Sequence, residues 1–243
     1  MVFSGKVKFE RVDSRTGFGE DNRMKILSSQ AAARVFDLLA ERWPDAHCEL
    51  AHSSPFQLLL AVMLSAQTTD KAVNKALEPL FAQQPGFGPE DLLALGESGF
   101  LEIIKSIGLA PTKARNAVKL ARQLLDLHGG DVPLVRESLE DLPGVGRKTA
   151  NVVLNVVAGE PTMAVDTHVA RLAVRIGLCK TTTDREEIER ELLRKVPARH
   201  ARFAHHHLIF HGRYLCTARS PKCEECPVLG ICARVGVSRV SPK

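Results

Sequence analysis

Cys216, Cys223, Cys226 and Cys232 fall within seventeen residues, separated by six, two and five positions. Four thiols this close together, in a chain whose N-terminus has no secretory apolar core, point to a metal centre rather than to disulfides. Four thiolates suit either tetrahedral zinc or a [4Fe–4S] cluster. Zinc ribbons usually carry two CxxC pairs and this segment carries one, which favours iron–sulfur. With all four positions taken by protein, the centre is structural. It pins the loop Thr217-Ala218-Arg219-Ser220-Pro221-Lys222, so that Arg219 and Lys222 are held out towards a polyanion. Cys48 and Cys179 lie far from this group and read as ordinary buried cysteines.

A second group is Leu142-Pro143-Gly144-Val145-Gly146-Arg147-Lys148-Thr149, between two helical stretches. Two glycines in three residues allow a tight turn and a close approach by another molecule. Amides at the start of the following helix then suit an anion, and Gly144, Val145, Gly146 and Arg147 become candidates for holding a phosphate backbone without reading sequence. A plain helix–helix turn is the alternative. A P-loop is excluded, because the lysine does not directly follow the glycine and a helix stands where a strand is required. Lys148, near the positive end of its helix and beside Arg147, is expected to be pushed towards a neutral, nucleophilic amine. Eighteen residues on, Ala164-Val165-Asp166-Thr167-His168-Val169 opens another helix. Asp166 is placed to cap that helix, to stabilise developing positive charge, or to do both.

These groups must be positioned by helices. The chain has 243 residues, 44% of them hydrophobic and only 5% aromatic, with a formal charge of +5. A positive excess of that size suits a nucleic acid without requiring one. No apolar run is long enough to span a bilayer, so the chain is expected to be intracellular. Helical spacing recurs and strand alternation does not, which makes the fold all-α. Ser28 or Ser29 starts a helix that Pro44 ends; Ser54-Pro55-Phe56-Gln57 is a capping box before a run apolar nearly all round. Further helices are expected at 70–81, 89–95, 100–106, 112–128, 135–141, from 147 to Gly159, 167–176, from the Thr183-Asp184-Arg185-Glu186 capping box to 195, and 200–215. His205, His206, His207 and His211 suit a helix flank, some buried and some exposed. A metal shared by His207 and His211 is the less favoured reading.

Taken together, LPGVGRKTANVVLN, VDTHV, their separation and the cysteine pattern resemble the helix-hairpin-helix DNA glycosylases. The resemblance runs from about Ser28 to Cys232. It implies two helical domains flanking a DNA-binding cleft: a six-helix barrel with the hairpin at 48–160, and an iron–sulfur cluster domain from 28–47 with 161–243. Residues 1–27 are then a flexible extension. It further implies one structural [4Fe–4S] cluster, Lys148 and Asp166 as catalytic groups, and damaged double-stranded DNA as the partner; the sequence marks no oligomer, and a monomer is expected. The resemblance gives Gln67, in Leu64-Ser65-Ala66-Gln67-Thr68, the gap left by a flipped base. It makes Leu109, in Ile107-Gly108-Leu109, an inserted wedge, and it adds His168 to the DNA contacts. The adenine-mismatch branch of the family shares the cysteine pattern but carries an acid where Ala61 stands here, and it differs at the lysine. The expectation is therefore a bifunctional enzyme on oxidised pyrimidines that cuts the strand 3′ to the lesion by β-elimination. A binder of distorted duplex and a redox carrier are the competing readings, and neither needs both Lys148 and Asp166.

Overall fold

Side chains that accept hydrogen bonds from free first-turn amides set five of the ten α-helix starts. The computed structural model describes residues 26–237. It contains ten α-helices: α1 (Ser29–Arg42), α2 (Pro55–Leu64), α3 (Asp70–Gln83), α4 (Pro89–Ile104), α5 (Ala110–His128), α6 (Arg136–Glu140), α7 (Arg147–Ala158), α8 (Thr167–Ile176), α9 (Arg185–Lys195) and α10 (Ala204–Tyr214). No strand occurs among the described residues, so the all-α expectation holds. No helix there is long and apolar enough to cross a membrane.

Ser28 caps α1 through the amide of Ala31, and Ser54 caps α2 through that of Gln57. The reciprocal half of the expected capping box is shifted by one residue. Gln57 Oε1 accepts from the Ser53 amide at 2.9 Å instead of from Ser54. A similar shift occurs at α9, where Asp184 rather than Thr183 is the cap and accepts from the amides of Glu186 and Glu187. The two short helices expected at 89–95 and 100–106 are one element, α4, broken only at Gly96, whose backbone is left-handed at φ 66°. The last long helix is shorter than expected, because a 3-10 turn at Ala198–His200 precedes α10.

Two apolar cores result. Helices α2 to α7 enclose the larger, with Phe56, Leu60, Phe87, Phe100, Leu120 and Leu154 at its centre. α4 lies along α5, and α2 against α7. The smaller joins α1 to α8, α9 and α10 through Phe36, Leu39, Leu172, Ile176 and Leu208. α8 and α10 approach closely at Gly212, where an added Cβ would stand 2.9 Å from the Cβ of His168. Leu27, expected in the flexible extension, is instead buried in the smaller core, and its amide donates to Gly177 O at 2.8 Å. The rest of that extension, apart from Ile26, lies outside the described residues.

Candidate active site and cluster loop

The turn from Leu142 to Gly146 delivers α7 to the surface between the two cores. Gly144 is left-handed at φ 81°, and a Cβ there would meet Met63 Sδ at 3.0 Å and Asn116 Cβ at 3.2 Å. Both conformation and space therefore demand glycine. Gly146 differs: its backbone is extended, at φ −112° and ψ 177°, and an added Cβ would meet nothing. It caps α7 with no side chain, leaving first-turn amides for an outside anion. Val145, one of the candidates for holding a phosphate, turns inward. Its side chain is buried in the larger core, and its amide is used by Leu142 O at 3.0 Å. Arg147 is likewise engaged. Its Nε donates to Glu189 Oε2 at 2.8 Å, so its charge is paired with a carboxylate of α9 rather than left bare beside the lysine.

Lys148 is exposed on the first turn of α7 and lines a cavity of about 1280 Å³. Asp166, Gln67 and His168 line the same cavity. Asp166 caps α8, its Oδ1 accepting from the Val169 amide at 2.8 Å. His168 sits two residues on, its Nδ1 3.4 Å from Arg171 Nη2. Gln67 occupies the tight turn after α2 with a left-handed backbone at φ 57°. Leu109 is not among the lining residues. It projects from the N-cap of α5, 59% exposed and also left-handed at φ 62°. Such conformations cost a non-glycine residue about 1–3 kcal/mol and are kept where the surroundings over-determine them.

The cavity also gathers residues that the sequence did not single out. Glu49, Asp70, Arg213 and Tyr214 form one wall. Arg213 bridges Glu49 and Asp70 (2.8 Å to Asp70 Oδ2), and the Tyr214 hydroxyl donates to Glu49. They come from three separate stretches of chain, which hid them. Cys48 belongs to this lining as well, half-buried rather than buried, and burial pushes its thiol up. All four histidines of α10 are buried, against the expectation that some would face solvent. Burial drives His206, His207 and His211 down to about 4, and holds His205 well below the usual imidazole range, with the neighbouring His206 and Lys148 charges adding to this. His211 accepts from Trp43 Nε1 at 3.2 Å and turns its Nε2 to Cys226 Sγ at 3.4 Å, so it faces the cysteines and not His207. Among the described residues, no three His, Cys, Asp or Glu side chains gather closely enough to hold a single metal ion.

The four clustered cysteines are all unpaired. Burial first, then mutual repulsion among the sulfurs, raises Cys223 and Cys232 and pushes Cys226 up to about 11. Cys216 is buried and the other three are half-buried; thiols shielded in this way are costly to ionise without a cation beside them, so the chemistry of the donor set fits an iron–sulfur cluster. Buried Arg175 secures the adjoining loop: its guanidinium donates to Cys216 Sγ at 3.4 Å, Thr217 O at 2.8 Å and Ala218 O at 3.2 Å. Arg219 and Lys222 stand exposed on that loop.

Residues 60–198 match the HhH-GPD superfamily of base excision DNA repair proteins, and residues 216–232 match the iron–sulfur binding domain of endonuclease III. The second match begins on Cys216 and ends on Cys232. The chain is 48% identical over 196 residues to the endonuclease III of Bacillus subtilis, covering 81% of this chain and 89% of that one. It is 48% identical over 198 residues to that of Escherichia coli K12, covering 82% and 92%. Among solved structures, an endonuclease III trapped as a covalent intermediate with DNA in an estranged-adenine complex superposes with a TM-score of 0.80 at 46% identity, covering 85% of this chain and 96% of that one. A thermostable thymine-DNA glycosylase superposes at 0.75 with 25% identity, covering 84% and 95%.

Proposed function

From the chain's membership of the endonuclease III family, within the HhH-GPD superfamily of base excision DNA repair proteins, we propose that Lys148 is the nucleophile of this DNA glycosylase and abasic-site lyase. The enzyme carries a [4Fe–4S] cluster, and Cys216, Cys223, Cys226 and Cys232 hold it. The cluster's work is to fix the loop that presents Arg219 and Lys222 to phosphates. The substrate is damaged duplex DNA bearing an oxidised pyrimidine, bound by a monomer inside the cell. The six helices α2 to α7 form the barrel domain at 48–160, and 28–47 with 161–243 form the cluster domain. The cavity between them receives the flipped nucleotide.

The observation that carries this reading is that Lys148 and Asp166, first-turn and cap residues of consecutive helices, line one cavity large enough for a nucleotide. The Lys148 amine attacks the sugar C1′ through the lone pair of Nζ. The C1′–N bond breaks and the base leaves with a proton, while the Asp166 carboxylate stabilises positive charge developing on the sugar. The C1′–O4′ bond then breaks, the ring oxygen taking a proton as the nitrogen lone pair forms the C1′=N bond, and the resulting iminium acidifies C2′. Loss of a C2′ proton expels the 3′ phosphate oxygen, and hydrolysis then frees the lysine.

The hairpin amides of Gly144, Gly146 and Arg147 grip the phosphate backbone. Val145, whose amide is spent on Leu142 O, serves that grip by anchoring the turn in the larger core, and Arg147 adds the exposed part of its side chain. His168 contacts DNA at the cavity mouth. Leu109 enters the base stack and Gln67 fills the vacated position.

The test is a duplex with one thymine glycol, assayed for base release and, without alkali, for a nick. The wild type should give both, and Lys148→Ala should give neither. Nicking by Lys148→Ala at the wild-type rate would overturn the assignment.

A further inference from the structure

Apart from glycines, the left-handed residues among the described part of the chain are Gln67, Leu109 and Arg234. Two of these three are the side chains assigned above to DNA insertion. Their turns lie far apart in sequence, yet both end on the same residue of α5. The backbone amide of Lys113 donates to Leu109 O at 3.0 Å, forming the first helical bond of α5. The side-chain Nζ of Lys113 donates to Ala66 O at 2.8 Å. That carbonyl belongs to the peptide plane shared with the Gln67 amide, so holding it fixes one end of the Gln67 φ torsion.

Lys113 is only 6% exposed, and burial lowers its ammonium from the usual range. A methionine or leucine would fill the same space without the desolvation cost of a cation. What those residues lack is a donor that reaches the Ala66 carbonyl. We propose that Lys113 is a positioning residue that locks the Gln67 and Leu109 turns into one unit, so that both side chains meet the duplex in fixed relation. The proposal rests on the insertion roles given above to Gln67 and Leu109.

A double-mutant cycle tests it, using single-turnover excision of thymine glycol from duplex DNA by the cluster-loaded protein. Each rate is read at a temperature where thermal melting shows the variant folded. Lys113→Met should slow excision roughly tenfold or more, the scale of one lost charge-assisted hydrogen bond. Gln67→Ala should slow it comparably. The double variant should be no slower than the slower single variant within about twofold, because a lock has nothing left to hold once the glutamine is gone. Parallel cycles with Leu109→Ala should show the same lack of additivity. Effects of Lys113→Met that multiply with both partners would mark a general packing role and overturn the proposal, while leaving the insertion roles intact. A Gln67→Ala variant as fast as wild type would instead remove the insertion role, and the proposal with it. If Lys113→Met does not fold, Lys113→Gln takes its place in the same cycles.

Discussion

Replacing each hairpin glycine by alanine should give opposite results two residues apart. At Gly144 the backbone is left-handed, which costs an alanine about 1–2 kcal/mol. Its Cβ would also lie 3.0 Å from Met63 Sδ and 3.2 Å from Asn116 Cβ. The thioether can swing aside, but the asparagine Cβ is fixed to α5, so overpacking adds about 1–2 kcal/mol. Loss of unfolded-state freedom returns about 0.4–1 kcal/mol. Gly144→Ala should therefore destabilise the protein by about 1–3.6 kcal/mol, lowering Tm by roughly 2–14 °C for a chain of this size. Gly146 has an extended backbone and open space around it. Gly146→Ala should stay within about 1 kcal/mol of wild type. Its methyl would nevertheless project into the open space through which a phosphate reaches the start of α7, so affinity for duplex DNA should fall. Urea unfolding followed by circular dichroism measures the first quantity, and titration with labelled duplex the second. A Gly144→Ala protein as stable as wild type, or a Gly146→Ala protein as damaged as Gly144→Ala, would refute the reasoning.

Asp166→Asn keeps a good helix cap and removes the carboxylate charge, so it should leave Tm within a few degrees while slowing excision roughly 10²–10⁴-fold. Single-turnover assays and thermal melts on the same preparation separate the two roles. Stability should also fall with acid. His206 and His207 are held near 4 in the folded protein against 6.5 for the free side chain, and burial also holds His205 well below 6.5. Unfolding exposes them to protonation, so their contribution is complete above about pH 6.5 and is lost as pH falls towards 4. Urea titrations at pH 7 and pH 5, with cluster absorbance followed in parallel, should show that loss; equal midpoints would contradict it. Cys226→Ser should weaken DNA binding and free the loop at 217–222, seen as faster proteolysis near Arg219, while the larger core keeps its unfolding midpoint.

The sequence carried those features that are local. Ser28, Ser54 and Asp166 cap helices because a short polar side chain beside a first-turn amide needs no distant partner. The four cysteines and the Gly144–Gly146 turn are legible for the same reason. Continuity was harder to read, because Gly96 looks like a helix end yet turns the chain for one residue and lets α4 resume. Tertiary choices were not legible at all. Val145 looks like a loop residue until the larger core closes over it. Glu49, Asp70 and Arg213 form a cavity wall only once α10 is laid beside the start of α3. The histidines of α10 give no local sign of full burial, because that depends on α1 and α8 covering them from both sides. Arg147 next to Lys148 suggested two cations acting together, whereas a buried glutamate more than forty residues on takes one of them away.

Catalysis through Lys148 requires a covalent bond between its Nζ and the sugar C1′. Borohydride added during reaction with a duplex carrying one thymine glycol reduces such an imine to a stable amine. Wild type should give a protein–DNA adduct, located by peptide mapping at Lys148, and Lys148→Ala should give none. Release of the base by wild type with no trapped adduct, or an adduct on another residue, would contradict catalysis through Lys148.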